Sequence, residues 1–110
     1  MEEDLGSIRV SPQVVAAIIA LSAASVQGVA WLNTRTGGNH PVRSLEEISR
    51  AVRVDLHEGA VQSDIYLTVE RGANMTQVGK AVQQEASQAI QRMMGLDVRA
   101  VNVYIVDVVR

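Results

Sequence analysis

Two stretches of this chain alternate apolar and polar residues with period two. Val52, Val54 and Leu56 alternate with Arg53 and Asp55, and Val61, Ser63, Ile65, Leu67 and Val69 alternate with Gln62, Asp64, Tyr66, Thr68 and Glu70. With His57-Glu58-Gly59-Ala60 between them they predict a hairpin. Pairing Leu56 with Val61 sets Val54 opposite Ser63 and Val52 opposite Ile65 on an inner face, and leaves Arg53 facing Asp64 and Asp55 facing Gln62 outside. Upstream, Gly6-Ser7-Ile8-Arg9-Val10 alternates briefly and predicts a first short strand. Ser11-Pro12 then offers an N-cap followed by proline at the first helical position. The helix begun there is expected to reach Ser25 or Val26 and is apolar on almost every side. Gly28 ends it, and Val29-Ala30-Trp31-Leu32 predicts another short strand.

Residues 33–50 read as a flexible connection: Thr36-Gly37-Gly38-Asn39 and Pro41 are turn chemistry, and Ser44-Leu45-Glu46-Glu47 is a capping box for one or two helical turns. Asn74 caps a second long helix. Its Met75, Val78, Val82, Ala86, Ala89, Ile90 and Met93 fall at spacings of three and four, and Gly95 stops it. The valine-rich stretch from Val98 to Val109 alternates poorly, which predicts a central strand or an edge buried in an assembly. The expected fold is α+β, a two-layer sandwich in the order β-α-β-β-β-α-β, with a mixed or antiparallel sheet and two helices on one face. One domain spans residues 1–110.

Composition narrows what this fold can do. Of the 110 residues 47% are hydrophobic and 20% charged, enough apolar surface for one packed core, and with no Phe, one Trp and two Tyr that core is aliphatic. The net charge of −2 gives no general attraction to phosphate backbones, and Lys80 is the only lysine. The absence of cysteine removes disulfides and thiolate metal sites and suits a reducing cytoplasm. Met1-Glu2-Glu3-Asp4 is the reverse of a basic signal-peptide start. Val10 to Thr34 carries no charge at all, but Gln27-Gly28 interrupts it and alanine fills much of it, so it reads as two buried elements and not a membrane span.

Candidate chemistry is thin. His40 and His57 with Asp55, Glu58 and Asp64 lack metal-ligand or paired-carboxylate spacing, and a hairpin tip carries such residues because it is wet. No serine lies in a Gly-x-Ser-x-Gly elbow, and the glycines of residues 36–40 match neither a phosphate loop nor a dinucleotide turn. No catalytic residue, cofactor or metal is therefore expected. RNA binding is the rival from another class, since small α+β domains often bind RNA. Against it, no Gly-x-x-Gly clamp is present, the cluster Arg35, Arg43, Arg50 and Arg53 is offset by Glu46, Glu47 and Asp55, and two tyrosines make a poor stacking platform.

The ordered landmarks carry a resemblance. Gly6-Ser7-Ile8-Arg9-Val10-Ser11 leads into an apolar helix and Val26-Gln27-Gly28-Val29. Asp64-Ile65-Tyr66-Leu67-Thr68-Val69-Glu70 and Gly72 come next, then Val82-Gln83, and finally Gly95-Leu96 before Val101-Asn102-Val103. In this order the chain resembles the alkaline shock protein family, bacterial proteins linked to cell-envelope stress. Ser25 and Arg71 depart from the family pattern. The resemblance implies no enzymatic activity, a tendency to self-assemble, a cytoplasmic location, and recruitment to the membrane periphery by a separate membrane-anchored protein. The expected partner-binding residues are those of the outer sheet face, Arg53, Asp64, Tyr66, Thr68 and Tyr104. Ala16, Ala20 and Ala23 on the first helix are the expected contact between copies in a homo-oligomer.

Overall fold

The computed structural model of the chain describes residues 5–34 and 44–110. Seven elements succeed one another: α1 (Pro12–Ala24), β1 (Val29–Asn33), α2 (Leu45–Ala51), β2 (Arg53–His57), β3 (Ala60–Val69), α3 (Met75–Met94) and β4 (Asp97–Val108). Thr36-Gly37-Gly38-Asn39, His40 and the prolyl turn lie outside the described residues. The α+β class and the mixed sheet are as expected, with one correction: residues 6–10 belong to no strand. Their alternation fits an extended backbone, but alternation by itself does not make a strand; a ladder with a neighbouring strand does.

β3 is the spine of the sheet. One of its edges is shared end to end by two short antiparallel strands, β2 along Ala60–Asp64 and β1 along Tyr66–Val69, while β4 runs parallel along the other edge for its whole length. The hairpin register is the one the alternation predicts, with Leu56 opposite Val61, Val54 opposite Ser63, Asp55 opposite Gln62 and Arg53 opposite Asp64. Its loop is two residues long, and Glu58 and Gly59 both take positive φ (52° and 75°), the turn whose twist matches the strands it joins. The ladder stops before the expected Val52–Ile65 pair, because Val52 serves as the C-cap of α2, its N–H donating to the Ile48 carbonyl.

β4 is an edge strand, and its weak alternation has a local cause. Its pairing with β3 slips between Val61 and Gln62 and again between Leu67 and Thr68, leaving Arg99 and Val106 as extra residues. Each bulge inverts the phase of the residues beyond it, so a two-residue period cannot persist along the strand.

α1 and α3 pack against each other over the inner face of the sheet. Val15, Ile19, Val61, Ile65, Leu67, Val69, Val82 and Ile90 form the centre of the core. Ser63 points into this apolar layer without penalty because its Oγ donates to the Arg53 carbonyl at 2.8 Å. The helices begin where the sequence says: Ser11 and Asn74 accept from the N–H groups of Gln13 and Gln77, and Gly95 closes α3 at φ 66°.

Candidate interaction surface

The outer face of the sheet is built from alternate residues of four strands. Because β2 and β1 share one edge of β3, every outward position of β3 lies between a residue of one of them and a residue of β4. Beyond the two rows at the hairpin end (His57, Ala60 and Asp97; Asp55, Gln62 and Ala100), three cross-strand rows carry the expected residues: Arg53, Asp64 and Asn102; Asn33, Tyr66 and Tyr104; Trp31, Thr68 and Asp107. Arg53 is exposed, Asp64 and Tyr66 are half-buried, and Tyr104 is 45% exposed.

Side-chain contacts tie positions together both within the rows and between them. Asn102 donates from Nδ2 to Asp64 Oδ1 at 2.9 Å, which gives this asparagine a structural role across the β3–β4 seam. Arg53 pairs with Asp55 two residues along its own strand at 3.4 Å, both ends well exposed, so this pair orients charge more than it stabilises. The Tyr66 and Tyr104 rings stack with centroids 4.9 Å apart and planes within 17°. Their phenol groups form the most aromatic strip of the chain.

The third row differs from expectation. Thr68 is expected at the surface, yet it is 1% exposed and donates to Asn33 Oδ1 at 2.7 Å, with Asn33 itself 3% exposed. It is a buried polar clasp between β3 and β1, and no contact residue. Trp31 beside it keeps a buried indole Nε1 with no hydrogen-bond partner. Trp31, Asn33 and Asp107 are absent from the surface that alternation predicts. The bulge in β1 between Val29 and Trp31 and the bulge at Val106 shift all three out of simple alternation.

The expected contact on α1 is corrected as well. Ala16, Ala20 and Ala23 are 3%, 3% and 0% exposed within a single copy, where their small size lets α1 lie close to the neighbouring elements. The apolar surface that α1 offers outside is Val14 and Leu21, 49% and 68% exposed. His57 and Glu58 stand 3.9 Å apart at the hairpin tip, both largely in solvent, and His40 lies outside the described residues. Among the described residues no three His, Asp or Glu side chains converge as metal ligands, and no helix is long and apolar enough to cross a membrane.

Known proteins share both the sequence pattern and the fold. A model of the alkaline shock protein 23 family, described by a cell envelope-related function, matches residues 1–110. The chain belongs to this family. The resemblance to alkaline shock proteins is thereby borne out. Relatives include YqhY of Bacillus subtilis (strain 168), 28% identical over 109 residues that cover 94% of this chain and 78% of YqhY. YloU of the same organism is 27% identical over 103 residues, 91% of this chain and 86% of YloU. Among solved structures, the copper form of the MamM CTD superposes with a TM-score of 0.59 at 16% identity, covering 86% of this chain and 84% of that one. A zinc form of a MamM CTD variant gives 0.58 at 15%, with the same coverage. At that identity the likeness is one of fold.

Proposed function

We propose that this alkaline shock family chain is a non-enzymatic adaptor of the cell envelope that self-associates and holds a membrane-anchored protein against its outer sheet face. The observation that supports it is the tied surface of Asp64–Asn102 and Tyr66–Tyr104, with Arg53 beside it, on a sheet whose other face packs against helices. Side chains already fixed by one another lose little freedom when a partner arrives, so a modest contact area gives useful affinity. Tyrosine and arginine are also the residues that most often dominate such contacts. Self-association multiplies the effect. Several identical faces presented together raise the effective concentration for an anchored partner, and the chain gathers at the membrane periphery through that partner.

RNA binding, the other reading, has less support from the same rings. Tyr66 and Tyr104 turn their faces on each other, whereas a base-stacking platform presents ring faces to the ligand.

Flotation tests the proposal. The purified protein is mixed with native membrane vesicles stripped of peripheral proteins, with the same vesicles after protease treatment, and with protein-free liposomes of the extracted lipids. Flotation with the first alone is expected. Equal flotation with protein-free liposomes would refute a protein partner, and micromolar, salt-sensitive binding to single-stranded RNA at physiological salt would promote the rival.

A further inference from the structure

The self-association on which the proposed function rests needs a contact between copies, and the free edge of β4 has the length, the apolar surface and the charge pattern for one. β4 is twelve residues long and among the described residues pairs with β3 alone. A long edge strand with an open side is a template for another strand. The open side also leaves apolar surface uncovered. Val103 and Ile105 face inward yet stay half-buried, while Ile65 and Leu67 beside them on β3 are 0% exposed. Between these two residues and α3 lies a groove of about 410 Å³, lined also by Met75, Gly79 and the exposed Lys80. Gly79 leaves its helix side bare: glycine is unfavourable inside a 20-residue helix, and a Cβ there would meet nothing within 4 Å in one copy.

A second copy of β4 fits this edge in one register. When the two strands run antiparallel about a two-fold axis normal to the sheet, both copies keep α1 and α3 on the same side, and paired residues face alike. The axis then passes through a residue and not between two. Charge decides which one. Centred on Val103, the pairing brings Arg99 of each copy level with the second copy's Asp107, and Asp97 beside its Arg110. Centred on Asn102, it sets Asp97 against Asp107; centred on Tyr104, it sets Arg99 beside Arg110 and Asp107 against Val101. Like charges meet in both of those registers. Within one copy, among the described residues, neither Arg99 nor Asp107 belongs to an ion pair, and Asp107 accepts from the N–H of Val108. The Val103 register also lays Val106, 52% exposed, against the small Ala100. Gln83 donates to the Val101 carbonyl at 3.0 Å, and a carbonyl has a second lone pair for a strand donor.

We infer that two copies join edge to edge through β4, antiparallel about Val103, so that their four-stranded sheets become one continuous sheet. The two outer faces then lie side by side, each with its Arg53, Asp64 and Tyr66 open to an anchored partner. The pairing asks nothing of the Tyr104 ring, which rests on Tyr66 of its own copy.

The chain has no cysteine, so disulfides form only where one is placed. Residues directly opposite in an antiparallel pair lie about 4.5–5.5 Å apart, within disulfide reach, and diagonal ones about 7–8 Å apart, beyond it. Asn102→Cys and Tyr104→Cys variants carrying tags of different size are mixed and oxidised. The expected main product joins one variant to the other, with little product from either alone. Arg99→Asp and Asp107→Arg should each keep the parent's circular dichroism and weaken self-association about tenfold or more, and the two reversals combined in one chain should restore it. Sedimentation velocity reads these effects. Assembly without a dominant mixed disulfide, single reversals that assemble like the parent, or a double reversal that stays weak overturns this contact and leaves the adaptor reading standing. A monomer at every concentration overturns both.

Discussion

Replacing Gly28 by alanine should destabilise the fold far more than one methyl group suggests. Gly28 ends the α1–β1 turn at φ +101°, and its carbonyl accepts from the Glu70 N–H at 2.7 Å, so the backbone here is fixed from two sides. An alanine there costs about 1–2 kcal/mol for a positive φ. Its Cβ would also lie 2.6 Å from Val78 Cγ2, while the neighbouring Ala73 Cβ at 3.5 Å is in ordinary contact. Val78 is 5% exposed and belongs to the core on α3, and a β-branched side chain in a helix has essentially one rotamer to occupy. Overpacking of this kind costs about 1–3 kcal/mol. The sum is about 3 kcal/mol, a large share of the ~5–15 kcal/mol that holds a domain folded. At ~4 °C per kcal/mol for a chain near this length, melting should fall by about 12 °C. Urea and thermal unfolding followed by far-UV circular dichroism measure it. Adding Val78→Ala should recover the steric part and leave the backbone part, a favourable coupling of about 1–2 kcal/mol in the double-mutant cycle. A Gly28→Ala protein within about 0.5 kcal/mol of the parent, or a cycle with no coupling, would show that the turn and α3 do not meet as described.

Three further outcomes are expected from the same structure. Thr68→Val keeps the volume but removes the donor to Asn33 Oδ1, and urea unfolding should show a loss of about 1–3 kcal/mol, while Thr68→Ser should lose less. Asn74→Ala strips the N-cap of α3 and should cost about 1 kcal/mol, with Asn74→Asp close to the parent. Tyr66→Leu and Tyr104→Leu, combined in a double-mutant cycle, should reveal a coupling of about 0.5–1.5 kcal/mol from ring stacking; additivity would mean the rings do not stack in solution.

How much of this is legible in the sequence varies with how local the deciding physics is. The two-residue turn at Glu58-Gly59 and the loss of the Val52–Ile65 pair to the α2 cap are seen only in the structure. The hairpin register can be read from Leu56–Val61 back to Arg53–Asp64, since alternation on both strands leaves one register that buries the apolar set. The caps Ser11, Ser44, Asn74 and Gly95 are legible for the same reason: each acts within a few residues of itself. The misreadings arise where neighbours decide. Residues 6–10 have a strand's pattern, but a ladder with a neighbouring strand is what makes a strand, and they lie in none. Ala16, Ala20 and Ala23 look like an outward sticky stripe, yet small residues on a helix serve close packing inside as readily as contact outside. Thr68 sits at an outward position of β3 and is buried all the same, because β1 brings Asn33 across to it. In β4, two bulges hide an edge strand behind a pattern that suggests cover on both faces. The outer face itself is legible wherever no bulge intervenes, as at Arg53, Asp64, Tyr66 and Tyr104.

The proposed function turns on the outer sheet face meeting a protein at the membrane, and a variant of that face tests it most directly. Tyr104→Asp lies at a 45%-exposed position away from the core, so it should leave the fold intact by circular dichroism and self-association intact by sedimentation. Its flotation with stripped native membrane vesicles should drop at least tenfold relative to the parent, and the charge-reversing Asp64→Arg should behave alike. A folded, assembled Tyr104→Asp protein that still floats like the parent would contradict the claim that this face is where the partner binds.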